Sequence, residues 1–432
     1  MEFPIFAYIA LLLLAGLFST RLMKVLKLPN VTGYIITGIL MGPFVFGLCF
    51  NGFTYEGIKD APIAQYIGRL SWVSQVALGF IAFSIGTSFK AKTLKAVGKR
   101  VLVITFLEAF CASLAVILAL LVAHFIFPEQ IGWEIVLTLG AIASATAPAA
   151  TLMVIRQYKA RGEIVDTLLP VVALDDAVAL ILFAILFQIA STISLGSSFD
   201  AYKMLLKPIL EILISLGLGV GLGFLISLCN KFFLSRNNRL IFCVFTVFAA
   251  LGFYMLFRQP GLGGFELSSL LICMAAGAIY ANFRKDSGPT FDVLDRFTSP
   301  IYMMFFVLSG ASLDLTIFFS SKGLVVLGIA AVYLFSRVAG KWFGAFTGAA
   351  LTKSSPEVRK YLGLTLIPQA GVAIGLATTC SALFANNPAT KEAGALILAI
   401  VLSSTLVYEL IGPLITKFAL SKAGAIPKED EA

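Results

Sequence analysis

The sequence predicts an all-α polytopic membrane protein with thirteen transmembrane helices. Three observations lead to this fold class: the apolar composition, the length of the apolar runs and the sidedness of the basic residues. Hydrophobic residues make up 59% of the 432 residues and charged residues only 13%, whereas an average soluble domain is about 25% charged. A soluble fold of this length could not bury so much apolar surface. The composition therefore argues against a soluble enzyme, a fibrous protein and a disordered chain.

Thirteen apolar runs have about the length, roughly 20 residues, that a helix needs to cross a bilayer. The predicted spans, numbered 1 to 13 in chain order, are residues 4–20, 31–50, 62–88, 101–127, 131–155, 167–193, 208–230, 238–257, 266–283, 297–316, 323–350, 361–386 and 393–416. The loops between them are short. We therefore expect residues 1–432 to form one membrane domain without a soluble regulatory domain.

The basic residues are concentrated in every second loop. Of the 32 Lys and Arg residues, 23 follow odd-numbered spans and only six follow even-numbered spans. The positive-inside rule then predicts an N-terminus outside and a C-terminus in the cytoplasm. The net charge of +9 therefore reflects orientation in a membrane, and no nucleic-acid partner is expected. Span 1 has no basic residue before it, which favours a first helix with its N-terminus outside over a cleaved signal peptide.

The sequence has no pattern that is typical of a cofactor or a structural metal. Its six cysteines are scattered without C-x-x-C spacing, and its single histidine, His124, cannot support a histidine-based metal cluster. We expect no cofactor and no enzymatic activity.

Spans 3 and 10 end in similar Gly-x-Ser segments, Phe83–Phe89 and Val307–Leu313. These spans are seven apart, so the related segments run in opposite directions across the membrane. This pattern is typical of an inverted-topology repeat. Extending the relationship pairs spans 2–6 with spans 9–13.

Spans 5 and 12, which correspond in this repeat, both contain a proline-rich interruption. Span 5 carries the segment Ser144–Pro148, and span 12 carries Pro368–Gly371. Proline removes a backbone donor and clashes with the preceding turn, so we expect two broken, crossing helices whose freed backbone groups line a protein cavity. Two interrupted helices in matching positions are typical of a transporter's binding site; two ordinary proline kinks are the alternative. The candidate residues of the breaks are Ser144, Thr146, Pro148, Pro368, Gln369 and Gly371.

Two adjacent carboxylates, Asp175 and Asp176, lie in the centre of the otherwise apolar span 6. Each charged residue there costs about 2.5–3.5 kcal/mol on insertion scales. A group that can hold either a proton or a cation is what proton/cation exchange requires, so we interpret the pair as an ion-binding site. The alternative is a structural pair that is held only by salt bridges.

Span 11 supplies two basic residues, Arg337 and Lys341, which lie four residues apart on one helix face. Either could pair with Asp175, and Lys341 could instead extend to the membrane interface. Glu108 in span 4 is a further buried acid. Because the repeat pairs span 4 with span 11, we expect Glu108 to face Arg337, with a local structural role as the alternative.

These motifs together resemble those of the monovalent cation:proton antiporter superfamily with the NhaA-like fold. The resemblance is carried by Thr146–Pro148, Ala173–Ala177, Gly340–Lys341 and Pro368–Gly371, and it covers essentially the whole chain. The number of spans resembles the NapA-like sodium/proton antiporter branch. The resemblance implies a homodimer with a mobile core and a dimerisation domain. We expect core helices at about 62–193 and 297–386, and dimerisation helices at about 1–50, 208–283 and 393–416.

The resemblance also implies roles for individual residues. Asp176 matches the main ion-binding carboxylate, so that Na⁺ would bind at Asp176 and Asp175. Asp175 matches the carboxylate that pairs with the membrane-embedded lysine, here Lys341, and Thr146 matches a polar group at the helix crossing. Members with two aspartates typically exchange two protons for one Na⁺, which is electrogenic. Many relatives have Thr-Asp at the break where this chain has Thr146-Ala147, which leaves the ion selectivity open.

The expected function is secondary active Na⁺(Li⁺)/H⁺ antiport by alternating access, serving pH homeostasis. A K⁺/H⁺ antiporter of the same fold is the main alternative. A cation channel and an intramembrane aspartyl protease are remote alternatives, since such proteases carry their aspartates on separate helices. The expected partners are a monovalent cation, protons, membrane lipid and a second copy of the chain. The expected location is a prokaryotic inner or plasma membrane.

Overall fold

The computed structural model of the chain describes residues 4–50, 62–87, 89, 91–128, 131–195, 206–233, 235–259, 265, 267–283, 288–312, 323–384, 387 and 390–427. Two residues of the Gly-x-Ser segments, Ser88 and Leu313, lie outside these ranges. Within the described residues the secondary structure is entirely helical. The helices are α1 (Ile5–Val25), α2 (Asn30–Met41), α3 (Phe46–Phe50), α4 (Pro62–Arg69), α5 (Ser71–Thr87), α6 (Ala91–Ile126), α7 (Trp133–Ala143), α8 (Pro148–Gln157), α9 (Glu163–Leu195), α10 (Lys207–Phe232), α11 (Arg236–Phe257), α12 (Ser269–Phe283), α13 (Gly288–Ala311), α14 (Gly323–Leu351), α15 (Pro356–Thr365), α16 (Gly371–Phe384) and α17 (Lys391–Lys422).

Each predicted span contains one helix or two consecutive helices. Spans 2, 3, 5 and 12 contain two, and the other spans contain one. Among the described residues, nine helical segments are long and apolar enough to cross a membrane, and α4 with α5 forms a tenth that is bent by 40°. The predicted all-α membrane fold is confirmed. The count of thirteen spans and the inverted repeat stay predictions.

The chain divides into two compact units. The first unit comprises Met1–Lys95 and Glu211–Asp314, and the second comprises Ala96–Leu210 and Leu315–Ala432. These bounds differ from the expected partition, because spans 3 and 10 belong mainly to the first unit and span 13 to the second. The expected partition concerns which helices move and which form the dimer. A division into compact units tests neither property. It therefore stays a prediction.

Within the first unit, glycines allow two close helix crossings. A Cβ atom added at Gly86 of α5 would lie 2.0 Å from the carbonyl oxygen of Met274 in α12. A Cβ atom added at Gly310 of α13 would lie 2.2 Å from the carbonyl oxygen of Ile35 in α2. These are the glycines of the two Gly-x-Ser segments. In the predicted repeat, span 3 corresponds to span 10 and span 9 corresponds to span 2. The repeat would therefore relate the crossing of α5 with α12 to the crossing of α13 with α2.

Within the second unit, α14 packs against α6 through three glycines spaced four residues apart. Gly340, Gly344 and Gly348 form this stripe, and a Cβ atom at Gly344 would lie 2.5 Å from the Cα atom of Glu108 and from the carbonyl oxygen of Leu107. Small residues at this spacing let helix backbones approach closely in a membrane. The close approach determines which residues of α14 lie beside Glu108.

We predict that Gly344→Ala destabilises the second unit. The added methyl group meets backbone atoms that cannot rotate away, and overpacking of this kind costs about 1–3 kcal/mol. The measurement is the thermal unfolding midpoint in detergent. Gly328→Ala on the same helix is the matched control, because nothing lies within 4 Å of a Cβ atom there. Equal midpoints for the two variants would contradict the close crossing.

Candidate cation site

Both predicted helix breaks are present in the structure. Helix α7 ends at Ala143 and α8 begins at Pro148, while α15 ends at Thr365 and α16 begins at Gly371. Pro148 occupies the first turn of α8, where its missing N–H would have no intrahelical partner in any case. Each break leaves carbonyl groups at a helix C-terminus and N–H groups at a helix N-terminus that need partners.

The two breaks cross and satisfy some of these groups directly. The N–H of Ala147 donates to the carbonyl oxygen of Pro368 at 2.8 Å. One turn into α8, the hydroxyl of Thr151 donates to the carbonyl oxygen of Thr365 at 3.0 Å. The unwound segments are thus bonded to one another inside the second unit, and the interpretation as two ordinary proline kinks is wrong.

Arg337 connects the two breaks. Its Nε donates to the carbonyl oxygen of Ala143 at 2.9 Å, its Nη2 to that of Ala145 at 2.7 Å, and its Nη1 to that of Ile367 at 2.7 Å. The guanidinium also lies 4.6 Å from the ring centroid of Tyr408. Arg337 is fully buried. Its charge therefore neutralises carbonyl dipoles at the C-terminal ends of α7 and α15, where a cation is stabilising.

Gln369 adds a second connection between the breaks. Its amide nitrogen donates to the carbonyl oxygens of Ile142 at 3.0 Å and Ala145 at 3.4 Å. Its amide oxygen accepts the hydroxyl of Tyr333 at 3.0 Å. Both side chains are fully buried. Tyr333 was not among the residues that the sequence indicated, since a tyrosine in an apolar span has no distinctive pattern.

Lys341 lies at the centre of the buried charges. Its ammonium nitrogen lies 2.5 Å from the carbonyl oxygen of Ser144, 2.7 Å from the hydroxyl of Thr146, 3.0 Å from Oδ2 of Asp175 and 2.6 Å from Oε2 of Glu108. The side chains of Lys341, Asp175 and Glu108 have no exposed surface. The structure therefore decides between the two bases: Lys341, and not Arg337, pairs with Asp175. The extension of Lys341 to the membrane interface does not occur.

The expectation that Glu108 faces Arg337 is wrong, because Glu108 pairs with Lys341 instead. The backbone of Glu108 contacts Gly344, which follows Lys341 by three residues and Arg337 by seven. At about 1.5 Å of rise per residue, Gly344 is about 4.5 Å along the helix from Lys341 but about 10 Å from Arg337. Glu108 is therefore level with the lysine, while the guanidinium of Arg337 is directed at the helix breaks.

Asp176 is also buried, with 4% of its surface exposed. Within the part of the chain that the structure describes, its Oδ1 atom has no hydrogen-bond partner, and neither does Oδ1 of Asp175. An unpartnered carboxylate oxygen in a buried position is costly unless a proton or a cation joins it. The structure thus leaves oxygen atoms of both adjacent aspartates available to a ligand.

The buried charges of this site do not balance. Three carboxyl groups belong to Glu108, Asp175 and Asp176, and two basic groups belong to Arg337 and Lys341. Ionised throughout, the site would carry one uncompensated negative charge, so it requires either one proton or one monovalent cation. Carboxylate, hydroxyl and carbonyl oxygens are the ligands that hard cations prefer, and unwound carbonyls bind Na⁺ in broken-helix transporters.

A family model described as "Sodium/hydrogen exchanger, transmembrane" matches residues 9–420 of the chain. Two solved structures of the sodium proton antiporter MjNhaP1 from Methanocaldococcus jannaschii are similar to it. The structure at pH 8 is 19% identical, with a TM-score of 0.65 and 98% of each chain covered. The electron-microscopy structure is 17% identical, with a TM-score of 0.76, and the match covers 98% of this chain and 96% of that chain. No curated protein matches the chain. At these identities the two structures support the fold.

Proposed function

We propose that this chain, which belongs to the sodium/hydrogen exchanger family, exchanges Na⁺ or Li⁺ for protons across a prokaryotic inner or plasma membrane. The observation that carries the proposal is the group of buried charges at the crossing of the two broken helices. Asp175 and Asp176 would bind the cation, with the hydroxyl of Thr146 beside them. The charge-compensating residues are Lys341, which pairs with Asp175 at 3.0 Å, and Arg337, which holds the breaks.

Competition between the cation and protons follows from the charge imbalance of the site. One added positive charge neutralises it, and either a cation or a proton can supply that charge at Asp176. When the cation leaves, a proton would take its place before the site turns to the other side of the membrane. This exclusion of simultaneous occupancy is what couples the two gradients in alternating access.

We also propose that the exchange is electrogenic. Asp175 would take up a second proton in addition to the one that replaces the cation at Asp176, so the protonated site would carry one net positive charge for each cation released. The chain would work as a homodimer in lipid, with its N-terminus outside and its C-terminus in the cytoplasm. Support for that orientation comes from the 23 basic residues that follow odd-numbered spans. K⁺/H⁺ exchange stays the alternative, since the break carries Thr146-Ala147 in place of Thr-Asp.

Purified protein in proteoliposomes with an imposed pH gradient tests the proposed function. Addition of Na⁺ or Li⁺ to the outside should dissipate the gradient in wild-type vesicles, and an imposed membrane potential should change the rate. A response to K⁺ alone would favour the K⁺/H⁺ alternative. Cation flux without any change in the pH gradient would favour a channel. No response to any monovalent cation would overturn the proposed function.

A further inference from the structure

Lys341 contacts two carboxylates that come from different helices. Oε2 of Glu108 in α6 lies 2.6 Å from its ammonium nitrogen, and Oδ2 of Asp175 in α9 lies 3.0 Å from the same atom. The carbonyl oxygen of Ser144 and the hydroxyl of Thr146 also lie within 2.7 Å. An ammonium group has three protons, and here they are donated to Ser144, Thr146 and Asp175. Oε2 of Glu108 therefore contacts the ammonium group as an ion pair without a hydrogen bond. The two carboxylates therefore compete for one lysine.

Cation binding at the adjacent aspartates would disturb this arrangement. A cation on Asp175 neutralises the charge that holds Lys341 there. A fully buried ammonium group without a carboxylate partner is strongly unfavourable. If Asp175 were the only acidic partner of Lys341, the cation would have to meet that cost on binding.

Glu108 removes this difficulty, because its Oε2 atom already lies 2.6 Å from the same ammonium nitrogen. The Cα atom of Glu108 lies at the close crossing with Gly344, so the height of its backbone beside α14 does not depend on the occupancy of the aspartates. We propose that Glu108 is a positioning residue, which keeps Lys341 paired while a cation occupies Asp175 and Asp176. The inference rests on the proposed cation site, and it assigns Glu108 no direct contact with the cation.

The charged groups around Lys341 support this division of roles. Helix α9 contributes Asp175 and Asp176, helix α6 contributes Glu108, and the other charged residue of the cluster, Arg337, is bonded to three backbone carbonyls. The unwound segment between α7 and α8 contributes only neutral oxygens to Lys341. Within the residues that the structure describes, Glu108 is thus the acid in contact with Lys341 that lies outside the aspartate pair.

Equilibrium binding of radioactive Na⁺ to the purified full chain in detergent, at one fixed pH, tests the proposal. Glu108→Gln leaves Asp175 as the acidic partner of Lys341, so the Kd for Na⁺ should rise by about tenfold or more. Glu108→Asp keeps the carboxylate charge but moves it farther from the ammonium group of Lys341. The Kd for Na⁺ should therefore rise by less than in Glu108→Gln. Glu134→Gln, which removes a carboxylate that accepts a hydrogen bond from Ser194, is the control and should leave the Kd unchanged.

A double-variant cycle separates an action through Lys341 from other roles. In a Lys341→Gln background there is no ammonium group to hold, so adding Glu108→Gln should change the Kd by less than about twofold. A rise that persists in this background would mean that Glu108 contacts the cation or acts through packing, and it would overturn the proposal.

The remaining outcomes are also decisive. An unchanged Kd in a folded Glu108→Gln chain would overturn the proposal as well. Should that variant not fold, an unchanged Kd for Glu108→Asp would do the same. Failure of the wild type both to bind Na⁺ and to exchange it would overturn the proposed function instead.

Discussion

Replacing Asp176 by Asn is expected to reduce cation/proton exchange in proteoliposomes by about a hundredfold or more, which corresponds to about 2.7 kcal/mol. Asn is nearly the same size as Asp, so the packing of α9 should be retained. The amide can neither carry the negative charge that binds a cation nor release a proton in exchange for one. The measurement is the initial rate of dissipation of an imposed pH gradient after addition of Na⁺ or Li⁺.

Asp166→Asn on the same helix is the matched control. Asp166 lies near the start of α9 and is exposed to solvent, so its replacement should leave the exchange rate unchanged. Exchange at the wild-type rate by Asp176→Asn would exclude Asp176 as a site of competition between cation and proton. An equal loss in both variants would point to a general effect on the protein and not to the site.

The Arg337→Gln variant is expected to unfold at a much lower temperature than the wild type. Three backbone carbonyls at the helix breaks, those of Ala143, Ala145 and Ile367, would lose their charged donor. The carbonyl of Ala145 would keep only the longer bond from Gln369 at 3.4 Å. Each buried acceptor that is left without a partner costs about 1–3 kcal/mol, and removing one member of a buried charged network costs about 3–5 kcal/mol, so we expect a loss of the latter size. The measurement is the thermal unfolding midpoint of the purified protein in detergent.

Two further variants define the cause of this loss. Arg337→Lys keeps the charge but lacks the planar fork that reaches three carbonyls at once, so it should be nearly as destabilising. Arg100→Gln removes a partly exposed ion pair with Glu163 in the same unit, and such pairs contribute only about 0–1 kcal/mol. A midpoint for Arg337→Gln as high as that for Arg100→Gln would show that Arg337 does not hold the breaks together.

The sequence was sufficient to predict the all-α membrane fold and the positions of both helix breaks. The reason is that these features depend on local chemistry. A bilayer requires long apolar helices, and Pro148 and Pro368 each lack the backbone N–H that a helix interior needs. The buried carboxylates could be identified for the same reason, because a charge in an apolar span stands out from its neighbours.

The partners of the buried charges could not be predicted from the sequence. Which acid lies opposite Lys341 depends on how closely α6 and α14 approach and at what level, and this is set by the glycine stripe at residues 340, 344 and 348. The predicted repeat led us to expect contact between spans 4 and 11, which α6 and α14 do make, but it placed Glu108 against Arg337. The spacing of the stripe was visible in the sequence and could have indicated the close approach.

The role of Arg337 illustrates a second limit. Arg337 was expected to pair with a buried carboxylate. Its guanidinium instead binds backbone carbonyl groups, which can accept these hydrogen bonds only because two other helices are broken nearby. Those acceptors come from residues 143, 145 and 367, far from Arg337 in the chain. The amino-acid type at a position does not indicate whether its backbone carbonyl will accept such a hydrogen bond. Contacts of this kind therefore become visible only in the folded structure.

Proton release on cation binding is the sharpest test of whether a monovalent cation and protons compete for the adjacent aspartates. Na⁺ or Li⁺ is added to the purified protein in weakly buffered detergent solution, and the pH is followed together with cation binding. We expect the wild type to release protons as the cation binds and Asp176→Asn to release none. Cation binding to the wild type without proton release, or equal release from Asp176→Asn, would contradict it.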